Sequence, residues 1–391
     1  MPVRVLCLDI EGGYGGSSRS LYESLCHMDR EAVSAEVWCG REGPIQARYD
    51  ALGIPCRVIG PLPRYSALPR ASRNLLALAR LLPAMRGARL RLGELESAVQ
   101  RFDVIHHNHE SLCLVAARLR RRSRARQVMH LRTNVSTSLF ARWQARTIAG
   151  AVDHAVFITE NERDSWQGLG LTAPAGSVIY NIAGAPKASL SPHSAIPDDG
   201  RFRVACISNY TWTRGVDRLV DVAVALRKRG RRDVVFVHAG DIRLRGKLPG
   251  NLGNLVRRGA TLADYAAARG VADAFMFLGH VAEPERVLRG CHITARPSRE
   301  DNPWGREALE SLAAGLPVVA TGSYDRFVED GVTGCLLPAY DADSFAAAVL
   351  RLADDPALRT RLATAARARI ASLCDGPQRA ADLLAVWRGT G

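Results

Sequence analysis

Several short stretches of this 391-residue chain gather side chains able to do chemistry. The first is Glu11-Gly12-Gly13-Tyr14-Gly15-Gly16-Ser17-Ser18, between an apolar run and a helical pattern. Glycines let a backbone approach a ligand closely, and a helix start adds free N–H groups and a positive dipole end. That combination suits a diphosphate, with Gly15 and Gly16 nearest the helix. The spacing is neither G-x-G-x-x-G nor G-x-x-x-x-G-K-[ST], so the dinucleotide-binding and P-loop readings lack their signatures. The plain alternative is a flexible turn with Ser17 or Ser18 as helix cap. The second stretch is His106, His107 and His109, just after Asp103-Val104-Ile105 at the tip of a strand. In extended chain His107 and His109 share one face and His106 takes the other. His130 and Arg132 end the next strand and are candidates of the same kind. In the third stretch Arg214-Gly215 closes a loop that opens on Ser208 and Asn209. Arginine is always charged and grips phosphate with two nitrogens at once. Asp341-Ala342-Asp343 spells the D-x-D of some metal sites, but it stands just before Phe345, Val349 and Leu352 and reads as a loop and helix cap.

The elements that must position these groups alternate along the chain. Apolar runs read as strands at Val3–Ile10, Ala35–Cys39, Cys56–Ile59, Val104–His107, Gln127–Leu131, Ala155–Thr159 and Ser177–Tyr180. A second series follows at Arg203–Ile207, Val234–His238, Ala274–Leu278, Ile293–Ala295, Pro317–Ala320 and Cys335–Leu337. Helical periodicity lies between them, as at Ser18–Met28, and at about 215–229, 259–269, 305–314, 344–353, 357–372 and 376–388. Strands alternating with helices build parallel sheets. Residues 185–200, with Pro186, Pro192 and Pro197, read as a linker. The expected organisation is a doubly wound domain over 1–185, a linker over 186–200, a second such domain over 201–374, and a last helix within 375–391. A ligand cleft is expected where strand carboxyl ends face each other.

Composition narrows the class. Hydrophobic residues make up 47% and charged residues 24%, an ordinary globular mixture. No apolar run reaches the roughly 18–20 residues of a membrane span. The stretch Leu75 to Met85 comes nearest and is broken by Arg80 and Pro83. The first residues already read as a strand with no small-residue cleavage site, so no signal peptide is expected. Nine scattered cysteines without C-x-x-C spacing suggest reduced thiols in a cytoplasmic protein. The net charge of +14 rests almost wholly on arginine, with Lys187, Lys228 and Lys247 the only lysines. It favours an anionic partner.

The most specific segment is 291–322, CHITARPSREDNPWGREALESLAAGLPVVATG. It resembles the donor-binding segment of retaining GT-B glycosyltransferases, glycosyltransferase family 4. Pro297-Ser298, Trp304-Gly305, Glu310-Ser311-Leu312-Ala313 and Gly315-Leu316-Pro317-Val318-Val319-Ala320 stand at that family's motif places. Val328, Asp330, Gly331, Thr333, Gly334, Leu336 and Pro338 match the motif that follows. A fainter likeness covers nearly the whole chain.

The resemblance implies an α/β GT-B fold: two Rossmann-like doubly wound domains facing across a cleft, with the C-terminal helix crossing back to the first. It implies that Glu310 binds the donor ribose, as a carboxylate accepts two hydrogen bonds from a vicinal diol. The alternative for Glu310 is a surface ion pair with Arg306. The family's other motif glutamate falls on Asn302, with Glu300 and Asp301 just before it. Asn302 can still read a sugar hydroxyl, and the backbone of Trp304, Gly305 and Arg306 can receive the sugar or a phosphate oxygen. The family's G-R-x4-K-G is matched at K-G by Arg214-Gly215, whereas Ser208 is read at the arginine's place, so one cation is missing. Arg132 or Arg306 could supply it. Asn209 joins the donor-binding set. The resemblance implies that a histidine of the 106–109 stretch faces the sugar and the reacting centre, leaves open which one it is, and makes His107, His109 and Arg214 the catalytic candidates; the plain alternative is that these histidines are structural.

The function implied is a metal-independent, retaining hexosyltransferase using a nucleoside-diphosphate sugar as co-substrate, with UDP or GDP as nucleotide and no cofactor. The acceptor would be a glycan, lipid-linked or small molecule in bacterial polysaccharide or glycoconjugate biosynthesis. Arginines interleaved with leucines over 72–100 suggest peripheral contact with an anionic membrane at its cytoplasmic face. The alternatives are a catalytically silent GT-B binding protein, and a nucleic-acid-binding protein using the arginine-rich stretch Arg118–Arg126. No aromatics interleave there, and no nucleic acid is expected.

Overall fold

The computed structural model describes residues 1–67, 71–172, 175–187, 189–244, 248–302 and 304–391. The chain divides into two compact units, one of Met1–Ile182 with Asp375–Gly391, the other of Ala183–Cys374. Unit 1 runs β1 (Val3–Asp9), α1 (Gly16–Cys26), β2 (Val33–Cys39), α2 (Ile45–Ala51), β3 (Cys56–Val58), α3 (Ala71–Gly87), α4 (Arg89–Ala98) and β4 (Val104–His107). It continues through α5 (Cys113–Arg120), β5 (Arg126–Leu131), α6 (Leu139–Ala151), β6 (His154–Phe157), α7 (Glu160–Gln167) and β7 (Ala175–Val178). Unit 2 runs β8 (Phe202–Ile207), α8 (Arg218–Lys228), β9 (Val234–Ala239), α9 (Gly250–Arg257), α10 (Leu262–Ala268), β10 (Phe275–Gly279) and α11 (Pro284–Arg289). Then come β11 (Ile293–Arg296), α12 (Arg306–Ala314), β12 (Val318–Thr321), β13 (Gly334–Leu337), α13 (Ala342–Asp354) and α14 (Pro356–Leu373). The last helix, α15 (Gly376–Arg388), belongs to unit 1.

Both sheets are parallel and doubly wound. Their strand orders are β3-β2-β1-β4-β5-β6-β7 and β10-β9-β8-β11-β12-β13. In each the order reverses beside the first strand of the unit, which opens a crevice at the carboxyl ends of the strands. The strands read as apolar runs because both faces are covered. In unit 1, Val5, Cys7, Val37 and Val128 face α1 and α15, with Leu21, Leu25, Leu383 and Trp387 in the same core. Leu6, Leu8, Trp38 and Ile105 face the other way, onto Leu92, Leu95 and Val115. Each such side chain contributes roughly 1.5–3 kcal/mol when fully buried. No helix among the described residues is long and apolar enough to cross a membrane.

The differences from expectation are local. The helices α9 and α11 lie in stretches that periodicity left unassigned, and both are eight residues or shorter. The segment read as a linker packs on α11. The amide of His193 donates to Arg286 O at 3.0 Å, Arg289 Nη2 donates to Lys187 O at 2.8 Å, and Ile196 is buried.

Candidate functional site

In unit 2 the expected donor residues sit on two loops at the carboxyl edge of the sheet, one after β8 and one after β11, and on the first turns of α12, which carries Arg306 and Glu310. The loops are tied together by their own polar groups. Arg299 forms a pair with Asp217 through contacts of 2.8 and 2.5 Å, and its guanidinium lies 3.4 Å from the ring centre of Trp212. The amide of Arg299 donates to Thr213 O at 2.8 Å, and Arg218 Nη1 donates to Ser298 O at 2.7 Å. Gly215 makes the crossing possible. Its φ is +67°, and a Cβ there would lie 2.0 Å from the carbonyl oxygen of Pro297. Ser208, Asn209, Thr211 and Arg214 line a pocket of about 350 Å³ whose far wall is Gly240, His280 and Pro284. Asn209 is held there by the amide of Asp241, which donates to its Oδ1 at 2.8 Å.

Arg214 reaches from this pocket to the first turn of α12. Its Nη1 donates to Ser208 Oγ and to Glu307 Oε1, both at 3.1 Å, and 43% of its side chain stays exposed. Glu307 Oε1 also accepts from Arg296 Nη1. Arg296 is buried, and its Nε donates to Asn302 O at 3.0 Å. Burial, and then the neighbouring Arg214, pull Arg296 down to about 9, still charged at neutral pH. Neither Glu307 nor Arg296 stands out from the sequence, although both lie within the 291–322 segment. Counted back from Arg214, G-R-x4-K-G puts the arginine on Asn209 and the glycine on Ser208, one residue on from the position read above. The missing cation has a neighbour in Arg296 instead. Arg132 and Arg306, named as substitutes, are engaged within their own units. Arg132 Nε donates to Asn108 O at 2.9 Å, and Arg306 Nε donates to Glu310 Oε1 at 3.3 Å.

The Arg306–Glu310 pair weighed above therefore forms, but Glu310 is itself buried rather than on an open surface. Trp304 is buried beside Phe327, ring centres 6.0 Å apart. Gly305 is the N-cap of α12 and no side chain caps it, so the helix start keeps the N–H groups that every helix leaves without an intrahelical partner. Asp301 is structural: its carboxylate accepts from the amide and hydroxyl of Ser323.

Unit 1 places its candidates at the carboxyl edge of its own sheet. Gly15 is the N-cap of α1, without a side-chain cap, and Gly16 has φ +52°. The serine-cap alternative fails, because Ser17 and Ser18 lie inside the helix and Ser18 is buried. His107 is a correction. It is fully buried, its Nε2 lies 2.8 Å from Gln127 Oε1, and burial pushes its pKa down to about 4. A side chain with no exposed surface does not touch a substrate. His109 remains, with 18% of its side chain exposed. Its Nδ1 accepts the amide of Ser111 at 3.1 Å, so the proton of the neutral ring is on Nε2. Asn108 organises this edge: its Nδ2 donates to Asp9 Oδ1 at 3.3 Å and to Ser17 O at 3.1 Å.

Asp341 caps α13, its Oδ2 accepting the amide of Ser344 at 2.8 Å, and Asp343 pairs with Arg229 at 3.4 Å. Among the described residues no cluster of three His, Cys, Asp or Glu could hold a metal ion. In the basic stretch, Arg118 pairs with Glu96, Arg120 with Asp153, and Arg126 Nε donates to Val386 O at 3.0 Å.

Two family models match the chain. One, described as Glycosyltransferase Family 4, covers residues 14–182, and the other, Glycosyl transferases group 1, covers residues 201–355. The chain is similar to an alpha-D-kanosaminyltransferase of Streptomyces kanamyceticus, 32% identical over 170 residues, 42% of this chain and 40% of that protein. It is also similar to a D-inositol 3-phosphate glycosyltransferase of Nocardiopsis dassonvillei, 31% identical over 257 residues, 63% of this chain and 50% of that one. The matches span half the length of these relatives or less. Among solved structures, HepE of Anabaena in complex with UDP and glucose has a TM-score of 0.76 at 20% identity, covering 99% of this chain and 100% of that one. At that identity the likeness establishes the fold, which is GT-B.

Proposed function

The chain belongs to glycosyltransferase family 4, and on that premise we propose that it is a retaining transferase that uses a nucleoside-diphosphate sugar. The observation that carries this reading is the meeting of Arg214 with the uncapped start of α12. A guanidinium and a helix N-terminus aimed at one spot form an anion site, and a departing nucleoside diphosphate is the anion this chemistry generates. Glu310 takes the ribose diol. Asn302, whose carbonyl is held by Arg296, offers its side-chain amide to a sugar hydroxyl. In unit 1, His109 offers an Nε2–H donor at the carboxyl edge of its own sheet. UDP is favoured over GDP, since HepE is seen with UDP. The acceptor is a glycan or lipid-linked sugar of bacterial glycoconjugate synthesis.

Support for the departing charge comes from Arg214 and the helix dipole, without a metal and without a cofactor. Turnover should therefore survive EDTA. Loss of activity restored by manganese or magnesium would overturn this.

The first experiment is a thermal-shift screen with UDP, GDP, ADP and dTDP, followed by UDP release from a panel of UDP-sugars. Stabilisation by one nucleotide with release of that nucleotide is expected. Stabilisation without release from any donor would favour the silent binding protein, and no stabilisation by any nucleotide would end the donor-site reading.

A further inference from the structure

Three buried rings in unit 1 form a chain of hydrogen bonds that ends at the carboxyl edge of β5. Trp387, on α15, donates its indole N–H to His106 Nδ1 at 3.0 Å. His106 Nε2 lies 2.9 Å from His130 Nδ1. His106 stands on β4 opposite Val128, and His130 is two residues on, so both project from the sheet face that α15 covers.

The direction of this chain follows from its first member. An indole N–H is only ever a donor, so His106 Nδ1 must be a bare acceptor. His106 therefore carries its single proton on Nε2 and donates to His130. His130 Nδ1 must in turn be bare, which puts its proton on Nε2 and forbids the imidazolium form while the chain is intact. Burial acts the same way, holding both histidines well below the ordinary value, with Arg132 adding to the effect. His130 keeps 5% of its surface exposed, and no protein group among the described residues takes its Nε2.

We propose that the Nε2–H of His130 is a substrate-binding donor of unit 1, aimed at a hydroxyl or phosphate oxygen, and that Trp387 and His106 are positioning residues that fix its tautomer. The role rests on the transferase reading only for the identity of the substrate. It separates His130 from a general base, since the exposed nitrogen has no lone pair to offer. It also gives the last helix of the chain a task beyond covering the sheet.

The tautomers are read directly by long-range ¹H–¹⁵N correlation in protein labelled at histidine nitrogens. His106 and His130 are both expected as neutral rings protonated at Nε2. A proton on His130 Nδ1, or a doubly protonated ring at neutral pH, overturns the proposal. Trp387→Phe keeps the ring but removes its N–H. It should leave the fold intact by circular dichroism, release His106 into a mixture of tautomers, and raise the KM for UDP-glucose more than it lowers kcat. Unmixed tautomers in that variant would show that Trp387 sets nothing. His130→Leu should lower kcat/KM for UDP release from UDP-glucose about tenfold or more, the worth of one charged or well-placed hydrogen bond. His130→Gln, whose amide nitrogen can stand near the same point, should keep most of the activity. Parent-like turnover by His130→Leu would overturn the binding role. If the parent protein releases no UDP while the tautomers stand as drawn, it is the transferase reading that has failed.

Discussion

At Glu307 Oε1 two guanidinium groups meet, those of Arg214 and the buried Arg296. One carboxylate so neutralises two cations, and the pair would repel without it. A bound diphosphate can take over part of that task. Glu307→Gln should therefore lower the melting temperature of the free protein and enlarge the stabilisation by UDP. Thermal melts with and without UDP check this, and an unchanged ligand shift would mean that Arg214 does not face the phosphates. Arg214→Ala should weaken UDP much more than uridine, whereas Glu310→Ala should weaken both by roughly 1.5–3 kcal/mol, one hydrogen-bonded charge. Titration calorimetry with the two ligands separates these patterns. The candidate site was legible where its residues are contiguous in sequence, at Arg214 and from Trp304 to Glu310. It was not legible at the Arg296–Glu307 pairing, because an ion pair depends on where two side chains arrive rather than on any local spacing.

At the scale of elements, the central strands were readable because burial on both faces makes them apolar runs, whereas the short β3 is partly open, with Val58 exposed. The short helices α9 and α11 carry too few turns for a period to show, and the 185–200 segment hid its packing because loop composition says nothing of what Ile196 touches. The helices α3 and α4 keep a feature their sequence suggested. Leu75, Leu76, Leu82 and Leu90 are exposed by 62%, 60%, 67% and 88%, beside exposed Arg73, Arg80, Arg86 and Arg89. Leucines on open solvent among cations suit an anionic bilayer surface. Arg91 does not belong to that face, because its Nε is buried and its side chain packs against Gly60. The protein should float with anionic but not neutral liposomes at about 0.15 M salt, where screening acts over roughly 8 Å. Replacing Arg80, Arg86 and Arg89 with glutamine should abolish flotation. Failure of the parent to float with either lipid would remove the membrane from the account and leave the transferase untouched.

Across the whole molecule a set of buried histidines is held neutral, in both units. Burial pushes His107 and His154 in unit 1, and His238 in unit 2, down to about 4, and lowers His106, His109, His130 and His292 as well. The unfolded chain binds protons on these rings near pH 6.5. Between about 6.5 and about 4 the unfolded state therefore holds more protons than the folded one, and stability falls as pH falls. Each fully neutral ring contributes up to about 1.4 kcal/mol of loss per pH unit within that window. Two carboxyls act in the opposite sense. Burial raises Glu162 to about 8 and raises Asp9, so the folded state holds their protons first and gains stability on acidification. The histidines outnumber them, so the net slope has the sign of the histidines. The melting temperature should be clearly lower at pH 5 than at pH 7. Glu162→Gln, which removes one opposing group without removing its bulk, should make the decline steeper. An equal or higher melting temperature at pH 5 would mean that the buried histidines already carry protons in the folded protein, and with it the neutral His106–His130 chain would fall.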